Sequence, residues 1–465
     1  MGALVSLALL APACTVGPNY HPPEIASLKV PDRFQHGNAN QKDQTDLRKW
    51  WTRFNDPVLT SLIDSALTTN NDLDAASARL RAARAALRAT RGGRLPVLGA
   101  SAGASASQAI NGEGGGGDAY QAGLDASWEA DLFGGQRRSV EAARATAEAV
   151  EADLHAVHLS IAAEVALNYI DARNAQSQLA IARRNLGYQD DNVQIADWRV
   201  QAGLVSALDL EQSRILRAQT AASIPLLDNR LTSTTNRIAI LIGEAPGAVA
   251  PLLASVLAVP LPPDGIEAGL PAALLQNRPD VMAAERRLAT ETARIGVATS
   301  ELYPALRLSG SLSTSALSPG GLGASLLGGI ASSITAPLFQ GGQIRARIEG
   351  QRATTDAALS AYRQTVLVAL EEVENALVFL DSAKRREAVL ITAEASARTA
   401  VLYARSQYRA GLIDFQSLLE SERSLLSSED NRATARAARA TAAVQLYKAL
   451  GGGWSDADIP PETRP

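Results

Sequence analysis

An internal duplication constrains the fold of this chain more than any other feature of its 465 residues. Five landmarks recur in the same order at an offset of 208 residues. They pair Asp72 with Asp280, Arg79 with Arg287, Pro96 with Pro304, Gly203 with Gly411, and Gly243 with Gly451. Because landmarks in a constant order are the signature of a tandem repeat, the sequence predicts two halves of the same architecture, joined by the Pro/Gly-rich stretch 245–271.

Each half contains two stretches in which apolar and polar residues alternate. The clearest runs from Tyr120 to Leu132, and the others run from Val97 to Ser107, from Leu306 to Ser313 and, more weakly, from Ile330 to Leu338. A period of two predicts β-strands with one apolar and one polar face. Gly-rich linkers at 111–118 and 316–325 turn each pair of strands into a hairpin.

The predicted strands have about the ten residues that a tilted strand needs to cross a bilayer. A soluble sheet with one wet face gives the same alternation, so the pattern alone leaves both interpretations open. Four strands cannot close a barrel, and an open edge in lipid costs several kcal/mol for each unpaired backbone group. Membrane-spanning strands must therefore come from several subunits, and three subunits would supply twelve.

A very long helical stretch follows each predicted hairpin. The stretches 136–202 and 343–410 contain no proline, and at 1.5 Å per residue each would be roughly 100 Å long. Hydrophobic residues make up 46% of the chain but aromatic residues only 4%, which suits closely packed, alanine-rich helices. Ala-Gly pairs at 202–203 and 410–411 end the stretches, and a second helix then returns, so each half ends in a helical hairpin. Apolar residues in the second stretch have the spacing of a coiled-coil seam: Val366, Leu370, Val373, Leu377 and Leu380.

The single cysteine, Cys14, excludes an internal disulfide and a cysteine-based metal site. It follows an apolar run, residues 3–13, that is too short to span a bilayer but suits the core of a signal peptide. Small residues before a lone cysteine resemble a bacterial lipoprotein cleavage site, which predicts that Cys14 becomes the acylated N-terminus. The alternative is a small buried thiol. The net charge of −4 gives no indication of a nucleic-acid partner.

Five short motifs, in order along the duplication, give the chain a resemblance to a known family. They are Gly17-Pro18-Asn19-Tyr20, the pattern from Trp50-Trp51 to Leu62, Asn277-Arg278-Pro279-Asp280-Val281, Pro337-Leu338-Phe339-x-Gly341-Gly342, and the pattern from Tyr408 to Leu419. Together they resemble the TolC family of outer-membrane efflux proteins, most closely its lipoprotein branch. The resemblance covers essentially the whole chain.

The resemblance implies an α+β membrane protein that works as a homotrimer in the outer membrane. Two β-hairpins per subunit would give four strands to a twelve-stranded β-barrel, and antiparallel coiled-coil helices would form a trimeric α-barrel across the periplasm. The implied partners are a periplasmic adaptor protein and an inner-membrane pump of the RND type, which drives the export of drugs or toxicants. The chain itself would be a passive channel and not an enzyme, with no cofactor beyond a covalent lipid on Cys14.

The repeat and the resemblance together predict a division of the chain. Residues 1–13 form a signal peptide, 14–50 an extended lipidated segment, 244–272 the linker between the repeats and 452–465 a C-terminal tail. Each repeat contains periplasmic helices, a transmembrane β-hairpin and a long helical hairpin, at 51–94, 95–133 and 134–243 in the first repeat and at 273–302, 303–340 and 341–451 in the second.

The resemblance also implies a periplasmic gate at the helical tips. In relatives, an acidic residue on a returning helix points into the entrance, where the symmetry of a trimer makes it a ring, and such rings favour cations. Glu420 occupies the matching position here, and Asp209 is a second candidate near the first tip. A solvated charge on a helix face is the alternative for both. The candidate adaptor contacts, which turn chemistry would also explain, are Gly203, Leu204, Gly411, Leu412 and Asp414.

The remaining motifs give no support for catalysis or metal binding. His155 and His158 lie three residues apart, but no cysteine or further spaced histidine accompanies them, so an exposed helix face is the simpler interpretation. The run 114–117 of four glycines lacks the lysine and hydroxyl residue of a phosphate-binding loop. Two alternatives to an efflux channel stay open: a type I secretion conduit of the same fold, and a non-transporting coiled-coil scaffold of the envelope.

Overall fold

The structure, a computed structural model, describes residues 15–24, 28, 30–37, 47–108, 117–263, 265, 271 and 277–455. The first repeat contains α1 (Pro57–Thr69), α2 (Asn71–Gly92), β1 (Val97–Ser107), β2 (Gly117–Ala130), α3 (Gly135–Gln201) and α4 (Ala207–Leu241). The second contains α5 (Pro279–Ser300), β3 (Ala305–Ala316), β4 (Leu326–Thr335), α6 (Gln343–Arg409) and α7 (Phe415–Ala449). From α2 onward the two halves have the same order of elements, which confirms the predicted duplication.

The four strands form one antiparallel sheet in the order β1-β2-β3-β4. The register places Leu98, Ala126, Gly310 and Ile330 side by side across all four strands. Their face of the sheet is apolar and exposed, with Ile330 93% exposed. The opposite face is polar and carries an ion pair of 2.9 Å between Arg307 and Glu129. The sheet therefore has the two-faced character that the alternation predicts.

Helices α3 and α6 are the two long helices of the fold, with 67 residues each. Each ends beside a glycine with positive φ, Gly203 at 68° and Gly411 at 72°. In the first turn, the amide of Leu204 donates to the carbonyl of Arg199 at 2.8 Å, and the second turn repeats this bond. This is the Schellman ending that glycine favours. No helix among the described residues combines the length and the hydropathy that crossing a bilayer requires.

Shorter helices meet end to end and make continuous columns. α4 ends where α2 begins, and Nδ2 of Asn70 donates to the carbonyl of Leu241 at 2.8 Å. The second repeat uses Arg278 in the place of Asn70, and its Nη1 donates to the carbonyl of Ala449 at 3.0 Å. The described chain thus contains four helical columns: α2 with α4, α3, α5 with α7, and α6.

Packing between the columns fixes their lateral order. Near the sheet, α5 packs between α3 and α6, and further away α7 takes its place between the same two helices. On its other side α3 contacts α2 and α4, so the α2/α4 column and α6 lie at the two edges. The coiled-coil seam predicted on α6 is confirmed, because Val366 and Val373 are fully buried in the core.

The largest core cluster lies near the joints between stacked helices. A 3₁₀ helix, Trp50–Phe54, places Trp50 against Tyr447 of α7, with stacked ring centroids 5.3 Å apart. Arg173 of α3 is fully buried and donates to the carbonyl of Ser255 at 2.6 Å. This bond ties the linker between the repeats to α3, so both halves and the linker share one core.

Two predicted strand ends are wrong. The alternation predicts strands that reach Leu132 and Leu338, but β2 ends at Ala130 and β4 at Thr335. The Asp131 carboxylate accepts hydrogen bonds from the first amides of α3, which turns the chain away from the sheet. Pro337 has no amide to extend the ladder of β4.

Gly451 should not tolerate a side chain. Its φ is +79°, and a Cβ there would lie 2.5 Å from the carbonyl oxygen of Asn277 at the column joint. We expect Gly451→Ala to lower the free energy of unfolding by about 2 kcal/mol, because both the left-handed backbone and the close contact oppose a side chain. Gly350→Ala is the matched control, since Gly350 lies within α6 with open space around it. Thermal unfolding followed by circular dichroism measures both; equal stability of the Gly451 variant and the parent would contradict the prediction.

Candidate gate at the helical tips

The two helical hairpins end together, away from the sheet. Arg199 of α3 lies over the ring of Tyr408 of α6, 4.6 Å from its centroid. Between the tips lies a cluster of buried apolar side chains from both hairpins: Ala196, Leu210, Leu216, Ala404, Phe415, Leu418 and Leu419. The two tips of one protomer therefore form a single packed unit.

Both returning helices begin with a side-chain cap. Ser206 and Asp209 form a capping box, in which Ser206 Oγ accepts from the Asp209 amide at 3.3 Å and the Asp209 carboxylate accepts from the Ser206 amide at 3.2 Å. Asp414 occupies the equivalent cap of the second tip and accepts from the Ser417 amide at 2.8 Å. Hydrogen bonds from the Ser417 side chain and backbone hold the pKa of Asp414 below its usual value. Asp209 and Asp414 thus both have a local structural role.

The predicted adaptor-contact residues lie at the two turns. A Cβ added to Gly203 or Gly411 would meet no atom within 4 Å. The adjacent Leu204 and Leu412 side chains are 72% and 75% exposed. The two turns therefore present matching apolar side chains to the surroundings, and the role of these residues in binding an adaptor stays a prediction.

Glu420 lies on the exposed side of α7, in the second turn of the helix. Its carboxylate accepts from Nη1 of Arg423 at 2.8 Å. Together with Ser417, Ser421 and Ala397 it lines an open groove between α6 and α7. Asp209 belongs to the other hairpin, and its carboxylate is engaged in the capping box. The structure thus places the two gate candidates in different surroundings, and their gate role stays a prediction.

Glu422 is a buried carboxylate that the sequence patterns do not single out. Arg405 of α6 donates to it from Nε and Nη2 at 3.1 and 3.0 Å, and Asn192 of α3 donates from Nδ2. Burial raises the pKa of Glu422, and the hydrogen bond from Arg405 opposes that rise. Arg405 also lies over the ring of Tyr188 of α3 at 4.7 Å. Glu422 therefore joins three helices that belong to both hairpins.

The duplication contains a signal that points to this contact. At the offset of 208 residues, Arg405 and Glu422 align with Asp197 and Arg214 of the first hairpin. The carboxylate of Asp197 on α3 and the guanidinium of Arg214 on α4 lie 3.8 Å apart. In the first hairpin the acid is therefore on the long helix and the arginine on the returning helix, which is the reverse of the second hairpin. Opposite charges at matching positions of both hairpins indicate a pair across each hairpin, although the pattern does not say which pair is buried.

A second buried carboxylate continues the seam between the hairpins. Glu429 of α7 accepts from Arg184 and Asn185 of α3 at 2.8 and 3.2 Å. Arg398 of α6 donates to the other oxygen of Glu429 at 3.1 Å. Because a buried charge without a partner is strongly destabilising, these contacts fix the position of α7 between α3 and α6.

Two further sequence predictions concern residues away from the tips. Cys14 lies outside the described residues, and its lipidation stays a prediction. The interpretation of His155 as part of an exposed helix face is wrong, because its side chain is buried and its ring lies 4.3 Å from the ring of Trp454. Within the described ranges, no group of His, Cys, Asp and Glu residues could hold a metal ion.

Comparisons with known proteins agree with this architecture. A family model described as "Outer membrane efflux protein" matches residues 62–244 and 270–452, one match for each repeat. The chain is 33% identical over 462 residues to the pyoverdine export outer membrane protein OpmQ of Pseudomonas aeruginosa, covering 97% of this chain and 96% of the relative. It is 31% identical to nodulation protein T of Rhizobium leguminosarum bv. trifolii over 464 residues, with 96% of each covered.

A solved structure shows the same fold. The outer-membrane channel OprN superposes with a TM-score of 0.87 at 37% identity, over 95% of this chain and 100% of that chain. A two-faced sheet set on long helical hairpins thus defines a subunit of an outer-membrane channel. The chain belongs to the outer membrane efflux protein family.

The raised pKa of Glu422 predicts a pH dependence of the tip. Since burial raises this pKa, the carboxyl binds a proton more tightly in the packed tip than in water. The free energy by which the protonated Glu422 carboxyl stabilises the packed tip is fully present below the ordinary glutamate pKa of 4.5. It is lost as the pH rises through the raised pKa. The groups that face it are the guanidinium of Arg405 and the side-chain amide of Asn192. We therefore expect channel conductance in lipid bilayers to be lower at pH 4.5 than at neutral pH.

Variants separate this effect from other titrations. Glu422→Gln should weaken the pH dependence, because the amide keeps the shape of the side chain but cannot ionise. Glu211→Gln is the control, since Glu211 is an exposed glutamate near the first tip and pairs with Arg214. An unchanged pH profile in the Glu422 variant would contradict the assignment.

Proposed function

We propose that three copies of this chain form the outer-membrane channel of a tripartite efflux system of the RND type. Small molecules would enter at the helical tips from an inner-membrane pump, with a periplasmic adaptor protein bound around the tips, and would leave through the β-barrel. The channel is passive and makes or breaks no bond, because the pump supplies the energy. The observation that carries this proposal is the sheet, with one apolar outer face and two unpaired edge strands.

The edges of the sheet support a trimer. Among the described residues of the protomer, β1 and β4 each pair with one neighbour, so each has an edge with no described strand beside it. In lipid, every backbone donor and acceptor of a strand needs a partner within the protein wall. Pairing β4 of one copy with β1 of the next satisfies both edges, and three copies give twelve strands, enough to enclose an aqueous lumen.

The helical part supports the same assembly. Its two edge columns are α4 and α6, and both carry exposed apolar side chains. On α4 these are Leu208, Ile215 and Leu226, and on α6 they are Val389, Leu402 and Tyr403. Contact between α4 of one copy and α6 of the next would bury these side chains and close a ring of twelve columns. The same exposed side chains are unfavourable in an isolated subunit.

The tips fit an entrance that an adaptor contacts. In the trimer, Glu420 and Asp209 would each be repeated three times around the pore. The exposed Leu204 and Leu412, with the flanking Gly203, Gly411 and Asp414, would form the adaptor-binding surface. Within this arrangement the hairpins 95–133 and 303–340 lie in the membrane, and the helical hairpins 134–243 and 341–451 extend into the periplasm.

A coiled-coil scaffold accounts for these observations less well. In an aqueous scaffold, the apolar face that carries Leu98, Leu124, Leu312 and Ile330 would be exposed to water, which is unfavourable over so continuous a surface. A channel places the same row in lipid. The lipid anchor expected on Cys14 fits the membrane location as well, since residue 14 precedes the segment that lies at the base of the sheet.

Removal of the chain should sensitise cells to compounds that its pump exports. We expect deletion to lower the inhibitory concentration of those compounds and the intact gene to restore it, because pump and adaptor have no exit without the channel.

Native mass spectrometry of the purified protein tests the assembly directly. A species with the mass of one processed subunit as the main form in mild detergent would contradict the trimer.

The Glu420 ring can be tested by conductance. We expect Glu420→Ala to raise single-channel conductance or to weaken cation preference, because it removes a carboxylate from the narrow entrance. Glu211→Ala is the matched control: both glutamates are exposed and pair with an arginine three residues further along the chain. Equal conductance and selectivity of the Glu420 variant and the parent in bilayer recordings would remove Glu420 from the gate.

A further inference from the structure

Helix α2, at one edge of the protomer, leaves a long face uncovered near the sheet. Its buried side chains, which include Leu73, Leu80 and Leu87, lie on the side that packs against α3. The opposite side is exposed and carries small residues at spacings of four and three: Ala78, Ala82, Ala85 and Ala89. Residues three and four apart lie on one face of a helix. The edge of the protomer at α2 is therefore a smooth helix face.

Helix α6 has a matching face at the other edge. Its first turns pack against α5, because Nε2 of Gln351 and Oγ1 of Thr355 donate to the carbonyl of Glu291 at 3.2 and 3.1 Å. The opposite side of α6 is exposed and carries small residues at the same spacings: Ala346, Gly350, Ala353 and Ala357. Both edges of the protomer thus have the same pattern of small residues at the level next to the sheet.

The two faces are complementary when two copies stand side by side. α2 ends at Gly92, shortly before β1, and α6 begins at Gln343, shortly after β4. Both ends therefore lie at the base of the sheet, and the two helices run in opposite directions. In this antiparallel arrangement Ala89 faces Ala346 of the next copy. The other facing pairs are Ala85 with Gly350, Ala82 with Ala353 and Ala78 with Ala357. Small side chains on both sides allow the helix axes to approach to about 8 Å.

A row of three charged residues flanks the small face of α2. Asp74, Arg81 and Arg88 are spaced by seven residues, which places them along one side of the helix. All three are exposed, and within the described part of the chain none of them forms an ion pair. By contrast, Arg84 of the same helix pairs with Glu151 of α3 at 3.0 Å. Three charges at this edge thus have no counter-ion within the described protomer.

Helix α6 carries a second row of three charges. Glu349, Asp356 and Arg363 are also spaced by seven residues and exposed, and among the residues that the structure describes none of them forms an ion pair. Arg345 and Arg352 each precede one of the acids by four residues, which is the less favourable order for a pair within one helix. The charges of this row are therefore available to a neighbouring copy.

The two rows agree in spacing, in sign and in level. With Ala89 beside Ala346 of the next copy, a helix of 3.6 residues per turn places both rows on the same side of the contact. Each charge then meets an opposite charge about 3 Å away along the helix axis. The pairs between copies are Arg88 with Glu349, Arg81 with Asp356 and Asp74 with Arg363.

The order of signs also excludes the neighbouring registers. A slip of seven residues in one direction would place Asp74 beside Asp356. A slip in the other direction would place Arg81 beside Arg363. Like charges at an interface oppose the wrong arrangement and fix the register of the right one.

We propose that α2 of one copy packs antiparallel on α6 of the next through the two small faces, and that the three ion pairs fix the register of this α2–α6 contact. The inference rests on the proposed trimer and makes its interface more specific. The contact lies directly below the pairing of β4 with β1 of the next copy. A shift of one residue in that pairing would turn the apolar side chains of a strand to the other face. The α2–α6 contact thus sets the alignment at which the barrel closes.

Charge reversal tests the ion pairs. Arg88→Glu places two acids together at every contact of the trimer, so we expect it to lower the temperature at which the detergent-solubilised trimer dissociates. Glu349→Arg should do the same, and the two changes combined should return this temperature to that of the parent. Arg79→Glu is the matched control, because Arg79 is an exposed arginine on the other side of α2, and it should leave the temperature unchanged. Size-exclusion chromatography after stepwise heating measures the dissociation.

Cross-linking tests the register directly. Ala82→Cys combined with Ala353→Cys places two thiols opposite each other between copies, and a short bis-maleimide should join them into covalent dimers and trimers on a denaturing gel. Ala82→Cys combined with Gln364→Cys is the control and should give none. Gln364 is exposed on the same face of α6, but it lies eleven residues further along the helix, about 16 Å away. Variants with one added cysteine report any reaction of Cys14.

The outcomes separate the α2–α6 contact from the trimer itself. If the parent is a trimer by native mass spectrometry, absence of the cross-link in the Ala82→Cys, Ala353→Cys variant overturns the contact and leaves the proposed function standing. Single reversals that dissociate at the parent temperature, or a double reversal that is no more stable than the single ones, overturn the ion pairs. A monomeric parent overturns the trimer and the contact together.

Discussion

In the part of the chain that the structure describes, the backbone groups at the edges of the four-stranded sheet have no partner strand, and this constraint governs the rest of the structure. A strand in lipid has no water to accept its free hydrogen bonds, so β1 and β4 need strands from neighbouring copies. The helical part has the same organisation, since four columns leave α4 and α6 with uncovered apolar side chains. Sheet and helices therefore require the same number of neighbours on the same two sides. This agreement makes a closed ring the simplest way to complete both layers at once.

The transition from sheet to helix is built in the same way in both repeats. Gly134 and Gly342, which are 208 residues apart, precede α3 and α6 with φ values of 80° and 84°. Neighbouring strands lie about 4.8 Å apart and packed helices about 8–10 Å apart, so the wall must change its spacing at this level. Left-handed glycines permit the sharp turn that the change requires. In the first repeat Thr15 packs against this turn, because a Cβ added to Gly134 would lie 2.7 Å from its Cγ2.

Local patterns in the sequence predict most of the fold, but they do not reveal contacts between segments that are distant along the chain. The bounds of β1, the glycine turns and the seam on α6 follow from periodicity and turn chemistry, which act over a few residues. The burial of His155 depends on Trp454, which lies about three hundred residues away, and no local pattern reports it. Glu422 looks like an ordinary surface glutamate in the sequence. It becomes buried because α3 crosses the contact between α6 and α7, and only the charge exchange with Asp197 and Arg214 hints at it.

The distribution of ion pairs indicates where the helices at the tips can separate with the smallest loss of stabilising free energy. In the first hairpin, exposed pairs such as Arg217 with Asp190 join α4 to α3, and exposed pairs contribute about 0–1 kcal/mol each. Within the second hairpin, the buried carboxylate of Glu387 pairs with Arg439 at 2.9 Å, and removing one partner of a buried pair costs about 3–5 kcal/mol. Burial raises the pKa of Glu422, so its anion gains hydration when α7 leaves α3. Opening at Glu422 is thus compensated in part by water, whereas separation within the second hairpin breaks a buried ion pair.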